Sequence, residues 1–161
     1  MMKLKNEVIS LDSLDWEILK TLQENSKQTY SEVGRQLGVA HSTIYDRIRK
    51  MEKNGVIKKW TVDIDHEKIG INYVTARMTV YTDPKESENV AKELSGAKEV
   101  LEVSMSLSDE LLIIAKVIAR DQDELHNFIA KKVAPLQGVI KIRTQIVTKK
   151  IKEERILIEE K

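Results

Sequence analysis

Between His41 and Lys53 the chain places Ser42, Thr43, Tyr45, Asp46, Arg47, Arg49, Lys50 and Lys53 around Ile44, Ile48 and Met51. At about 100° per residue the three apolar residues share one edge of a helix. Ser42, Thr43, Asp46, Arg49, Lys50 and Lys53 stand opposite, with Tyr45 and Arg47 on the flanks. Hydroxyl, carboxylate and cationic groups presented from one helix can meet base edges and phosphates in a major groove about 12 Å wide. Lys58 and Lys59 follow at once and would add contacts to phosphate. From His41 to Trp60 six cations face only Asp46 and Glu52, so this stretch attracts a polyanion although the whole chain carries a net charge of +1. A polar helix face is often merely solvated. Such a face normally mixes both signs at pairing distance, however, and acids are scarce here, so the residues favour DNA.

Other chemistries find little support. The chain has no cysteine, which excludes disulfides, thiolate metal sites and a thiol nucleophile and fits a reducing compartment. His41, His66 and His126 lie far apart and none belongs to a metal-binding spacing, so no metal or other cofactor is expected. No two glycines fall close enough to build a phosphate loop, and no serine lies in a nucleophile-elbow sequence. An enzyme is therefore not expected. Trp16 and Trp60 read as packing residues, although Trp60 sits beside the Lys58–Lys59 pair. The opening residues lack the apolar run of a leader, and no stretch approaches the roughly 20 apolar residues of a membrane span. The expectation is a cytoplasmic protein without a membrane partner.

The elements that must position this face can be read from periodicity. Asp12 with Asp15 forms a capping box ahead of Leu14, Ile18, Leu19 and Leu22, predicting a first helix to about Glu24. Thr29 with Glu32 opens a second, short helix with Tyr30, Val33 and Leu37 on one face, ended by Gly38. A third runs from about His41 to Lys53, and Gly55 closes it. Residues 1 to 60 carry eleven Lys and Arg against eight Asp and Glu, whereas the remainder carries sixteen against eighteen. The basic excess thus belongs to the helical part.

After Gly55 the period becomes two. Val56 to Ile64 reads as a short hairpin or a strand leading out, and residues 61–72 as a linker strand. Strands are expected from Tyr73, over Glu99 to Leu107, over Leu111 to Ala119 and over Val139 to Thr148. Helices are expected over Lys85 to Ser95 and Asp123 to Ala134. Leu111 to Ala119 is apolar almost throughout, as in a strand buried on both faces. The order βαββαβ defines a ferredoxin-like sheet with helices on one face, leaving the other to be covered by a second subunit. The expected class is α+β. Residues 11–60 form a helix-turn-helix domain, with the helix-turn-helix proper at about 30–53, and residues 73–150 form a βαββαβ dimerisation domain. Residues 151–161 are a tail in which Ile156, Leu157 and Ile158 suggest an added strand or a subunit contact.

Leu11-Asp12, Asp15, Ile18-Leu19, Glu32-Val33, Leu37-Gly38, Ser42-Thr43, Arg47-Ile48 and Met51-Glu52 through Gly55-Val56-Ile57 resemble the helix-turn-helix domain of the Lrp/AsnC family of leucine-responsive and feast/famine regulators. Leu125, Phe128, Leu136 to Val139 and Thr144-Gln145-Ile146-Val147 resemble that family's ligand-binding domain. The resemblance covers Leu11 to Lys152. It implies a winged-type helix-turn-helix, a homodimer joined through its sheets, assembly to tetramers or octamers, an operator in double-stranded DNA, and an amino acid as effector. Three departures stand out. Ala40 replaces the Ser that usually starts the recognition helix, leaving Ser42 to take over. Gly34 replaces an Ala. In the effector loop, Leu107-Ser108-Asp109-Glu110 stands where family members tend to carry Gly-Asp-x-Asp. Ser108, Asp109 and Glu110 remain candidates for holding an effector, alongside the reading of an ordinary acidic loop. Three classes of function stay open: an effector-responsive regulator, an architectural DNA-binding protein without a ligand, and a small-molecule sensor acting on a metabolic enzyme.

Overall fold

The computed structural model describes residues 8–107 and 111–153. The chain divides between Asp63 and Ile64 into two compact units, each with its own core.

The first unit holds three helices, α1 (Ser13–Glu24), α2 (Tyr30–Leu37) and α3 (His41–Lys53). Both expected capping boxes form. The Asp12 side chain accepts from the Asp15 amide at 3.0 Å, and the Thr29 hydroxyl accepts from the Glu32 amide at 3.2 Å. Each N3 carboxylate in turn accepts from the amide of its cap residue. Hydrogen bonds from the Thr29 amide and hydroxyl hold the Glu32 carboxyl below its ordinary range. The core is built from Ile18, Leu19 and Leu22 of α1, Val33 of α2, and Ile44, Ile48 and Met51 of α3.

Gly38 ends α2 at φ 71°, a left-handed conformation that only glycine takes without strain, and turns the chain into α3. Gly34 marks the closest approach of this turn. A Cβ there would stand 2.6 Å from the Val39 carbonyl oxygen, and the Val39 amide bonds back to the Gly34 carbonyl at 2.9 Å.

The period-two run after Gly55 does not pair into a hairpin among the described residues. The amides of Val56 and Ile57 instead fold back onto the Met51 carbonyl, at 2.9 and 3.2 Å, and their side chains join the helical core. Alternation marks a half-buried surface, but a strand also needs a ladder partner, and the described residues supply none here. The same holds for the 61–72 linker strand. Its one regular piece is a 3₁₀ turn over Glu67–Ile69, with the amides of Ile69 and Ile71 both on the His66 carbonyl.

The second unit is the expected βαββαβ arrangement: β1 (Val74–Thr82), α4 (Ser87–Ser95), β2 (Val100–Leu107), β3 (Leu111–Ala119), α5 (Gln122–Phe128) and β4 (Val139–Ile146). After Phe128, α5 widens into a π-type turn over Ile129–Val133, where the Ala134 amide reaches the Ile129 carbonyl at 2.8 Å. The strands lie in the order β2-β3-β1-β4, every neighbouring pair antiparallel. Met78, Val80, Ile113, Ala115 and Val117 are sealed beneath Val90, Leu94, Leu125, Phe128 and Val133 of the helices. The opposite pleat of β3 carries Leu112, Ile114, Lys116 and Ile118, all only half-buried. Burial of β3 on both faces is thus not achieved within one chain: the helices cover one face only.

Candidate nucleic-acid interface

Alpha-helical geometry sorts the residues of α3 as their spacing requires. Ile44 and Ile48 are fully buried and Met51 nearly so. Ser42, Tyr45, Asp46, Arg49, Lys50 and Lys53 are exposed, and Thr43 and Arg47 are half-buried at the boundary. Lys58 and Lys59 are exposed on the extended segment beyond the helix. Together these groups make a wet, cationic surface over a dry core. Ser108, Asp109 and Glu110 lie outside the described residues, as does the apolar run Ile156 to Ile158.

Alpha3 begins without a side-chain cap. Ala40 occupies the N-cap position, and Ser42 does not replace the missing cap bond. The first turn of α3 also lacks an acidic residue, so the positive end of the helix dipole is uncompensated by carboxylate.

Arg47 has a task that local sequence could not reveal. Its Nη1 donates to Asp12 at 2.5 Å and to Asp15 at 2.9 Å, joining the start of α1 to the middle of α3. The hydrogen bond from Arg47 is the largest influence holding the Asp12 carboxyl below its ordinary range, and the Arg47 guanidinium is raised in turn, chiefly by Asp12. The aspartates that cap α1 therefore also orient α3. Cap and clamp share two carboxylates.

Tyr30 also departs from expectation. Periodicity groups it with Val33 and Leu37 on the inner face of α2, yet it is partly exposed, and its ring meets Tyr45 edge-on at a centroid distance of 5.6 Å. Tyr45 in turn lies under the Arg49 guanidinium, whose central carbon is 5.7 Å from the ring centroid. The one advance signal of this set was the spacing of Tyr45 and Arg49, four residues apart on a helix.

The two tryptophans are neither wholly buried nor free. Trp16 and Trp60 line a groove of about 740 Å³ with Leu11, Leu19, Leu22 and Val56. The Trp60 indole N–H donates to Glu52 at 2.6 Å, which ties the extended segment back to α3. Among the described residues no cluster of His, Asp and Glu could hold a metal ion, and no helix is long and apolar enough to cross a membrane.

A short braced helix, a glycine turn and a second helix with one buried and one cationic face define a helix-turn-helix DNA-binding protein with an appended α+β unit. Comparison with known proteins makes the class definite. Residues 11–58 match the winged helix-turn-helix DNA-binding family, and residues 75–157 match the Lrp/AsnC ligand-binding domain. The chain belongs to the Lrp/AsnC family of transcriptional regulators. It is 35% identical to the HTH-type transcriptional regulator FL11 of Pyrococcus horikoshii, over 90% of this chain and 94% of that protein. Its fold is similar to that of AsnC from E. coli, with a TM-score of 0.82 and 24% identity over 93% of this chain and all of that one. A transcriptional regulator from Neisseria meningitidis, determined as a complex with L-Met, shares the fold at a TM-score of 0.76 and 23% identity, covering 89% of this chain and 94% of that one.

Proposed function

We propose that this regulator is a cytoplasmic homodimer, not an enzyme, that inserts α3 of each protomer into the major groove of an operator in double-stranded DNA. The observation that carries this reading is the division of α3. Ile44, Ile48 and Met51 are sealed in the core, while Ser42, Arg49, Lys50 and Lys53 are exposed to solvent. Lys58 and Lys59 add phosphate contacts on the flank. The uncapped start of α3 offers the His41 and Ser42 amides to a phosphate, in keeping with the field of a helix N-terminus. Arg47, paired twice with carboxylate, holds the helix in place, and Thr43 contributes from the boundary.

The sheet unit supplies dimerisation and sensing. Leu112, Ile114 and Ile118, with Lys116 among them, form a largely apolar strip on the face that the helices leave open, the kind of surface a second copy covers. Dimers assemble further, to tetramers or octamers, by other surfaces. The effector is an amino acid, a reading supported by the match to the Lrp/AsnC ligand-binding domain. Ser108, Asp109 and Glu110 are proposed to present acceptors to its ammonium group.

Two measurements test this reading. Footprinting on bound duplexes should give two protected half-sites about 34 Å apart, one helical turn or a multiple of it; protection without that phase contradicts a dimeric reader. A thermal-shift screen against the common amino acids should raise the Tm for at least one of them, because a ligand of the folded state stabilises it by mass action. A flat response to every amino acid, with DNA binding intact, would instead favour the architectural class.

A further inference from the structure

The two arginines of α3 do different work. Arg47 is neutralised by Asp12 and Asp15. Arg49 has no carboxylate partner among the described residues, and its guanidinium carbon lies over an aromatic ring, 5.7 Å from the centroid. That ring belongs to Tyr45, which is braced edge-on by Tyr30, the first residue of α2. The stack runs from one helix to the next across the outer surface of the unit, with Tyr30 36% and Tyr45 42% exposed.

The geometry matters because a guanidinium is flat. When a ring occupies one of its faces, the N–H donors, which lie in the plane, stay unobstructed. An arginine drawn over a ring is therefore biased in direction while its in-plane donors stay open. An unsupported arginine on an exposed helix samples many rotamers and must give them up on binding, whereas a stacked one has already given up part of them. Two parallel N–H donors match the O6 and N7 acceptors that guanine presents in the major groove, and no other base offers that pair.

We propose that Arg49 reads one guanine in each half-site, that Tyr45 and Tyr30 are positioning residues holding its guanidinium for that contact, and that Arg47 takes no part in reading. This rests on α3 being the recognition helix.

The test uses the full chain and a pool of duplexes with a randomised core. Wild type should enrich a guanine at one position of each half-site. Arg49→Ala should lose that preference, and Tyr45→Leu should weaken it by about tenfold or more at that position alone. Tyr45→Phe, which keeps the ring, should retain it, Tyr30→Ala should give a smaller loss, and Arg47→Met, which loosens α3, should lower affinity for all duplexes alike while the choice of guanine persists. A preference that survives Arg49→Ala or Tyr45→Leu overturns the proposal, as does a selected site with no such guanine. A second readout needs no DNA. The Arg49 Nε–H resonance should be displaced by the ring current of Tyr45 in wild type and in Tyr45→Phe, and should return to an ordinary position in Tyr45→Leu. An ordinary position in wild type, with duplex binding intact, overturns the stack alone. Failure of wild type to bind any duplex overturns the DNA reading and this inference together.

Discussion

Arg47 and Ala40 show how much the orientation of α3 depends on single side chains. Arg47 links α3 to the two carboxylates that cap α1. Replacing it by Met keeps the stem and removes the charge, so the Tm of the chain should fall by several degrees in a thermal melt while the circular dichroism spectrum stays helical. The same pair sets an acid limit. The Asp12 carboxyl is depressed by Arg47, so its contribution is complete above its ordinary pKa and disappears as the pH falls through the lowered one. Acid titrations of stability should therefore be shallower in Arg47→Met than in wild type; identical curves would show that the pair adds nothing. Ala40 points the other way. A serine there can accept from an amide of the first turn, and Ala40→Ser should raise stability by about 1 kcal/mol in denaturant unfolding.

At the scale of elements, the first unit was largely legible because its signals are local. Capping boxes at Asp12 and Thr29, the glycine at position 38 and the spacing of Ile44, Ile48 and Met51 each lie within one or two turns of the structure they specify. The clamp from Arg47 to Asp12 spans 35 residues and left no trace in any local pattern. The alternation after Gly55 misled for a related reason: whether it becomes a strand depends on a neighbour the pattern does not contain, and the Val56 and Ile57 amides turned to Met51 instead. In β3 an almost unbroken apolar run suggested two covered faces, yet one pleat remains open within the chain. The predicted weight of the α3 edge is large. Ile48 is fully buried, so Ile48→Ala should cost about 2–5 kcal/mol of stability, through lost burial and the cavity left behind. A loss under 1 kcal/mol would mean that the helix is rotated from the orientation described.

Over the whole molecule, a unit proposed to touch DNA is joined to a unit proposed to pair with a copy of itself and to respond to a ligand, and that division of labour would account for the uneven charge of the chain. The basic excess gathers where a polyanion is met, and the open apolar pleat of the sheet lies where another protein surface is needed. On this account Ile114→Glu should shift the chain from dimer to monomer in light-scattering measurements without unfolding the sheet, because Ile114 faces away from the helical core. Weakening of the dimer should weaken operator binding more than binding to random duplex, since only the operator rewards two α3 helices held in phase.

The exposed cations of α3 are the centre of the account, and the salt dependence of binding tests them most directly. Fluorescence anisotropy of a labelled duplex, titrated with wild type and with Lys50→Ala/Lys53→Ala over a series of salt concentrations, gives the number of phosphate contacts from the slope of log K against log salt. The double variant should bind more weakly, with a slope shallower by about 2 for each protomer bound, one for every lysine removed. An unchanged slope and unchanged affinity would place the DNA somewhere other than on α3.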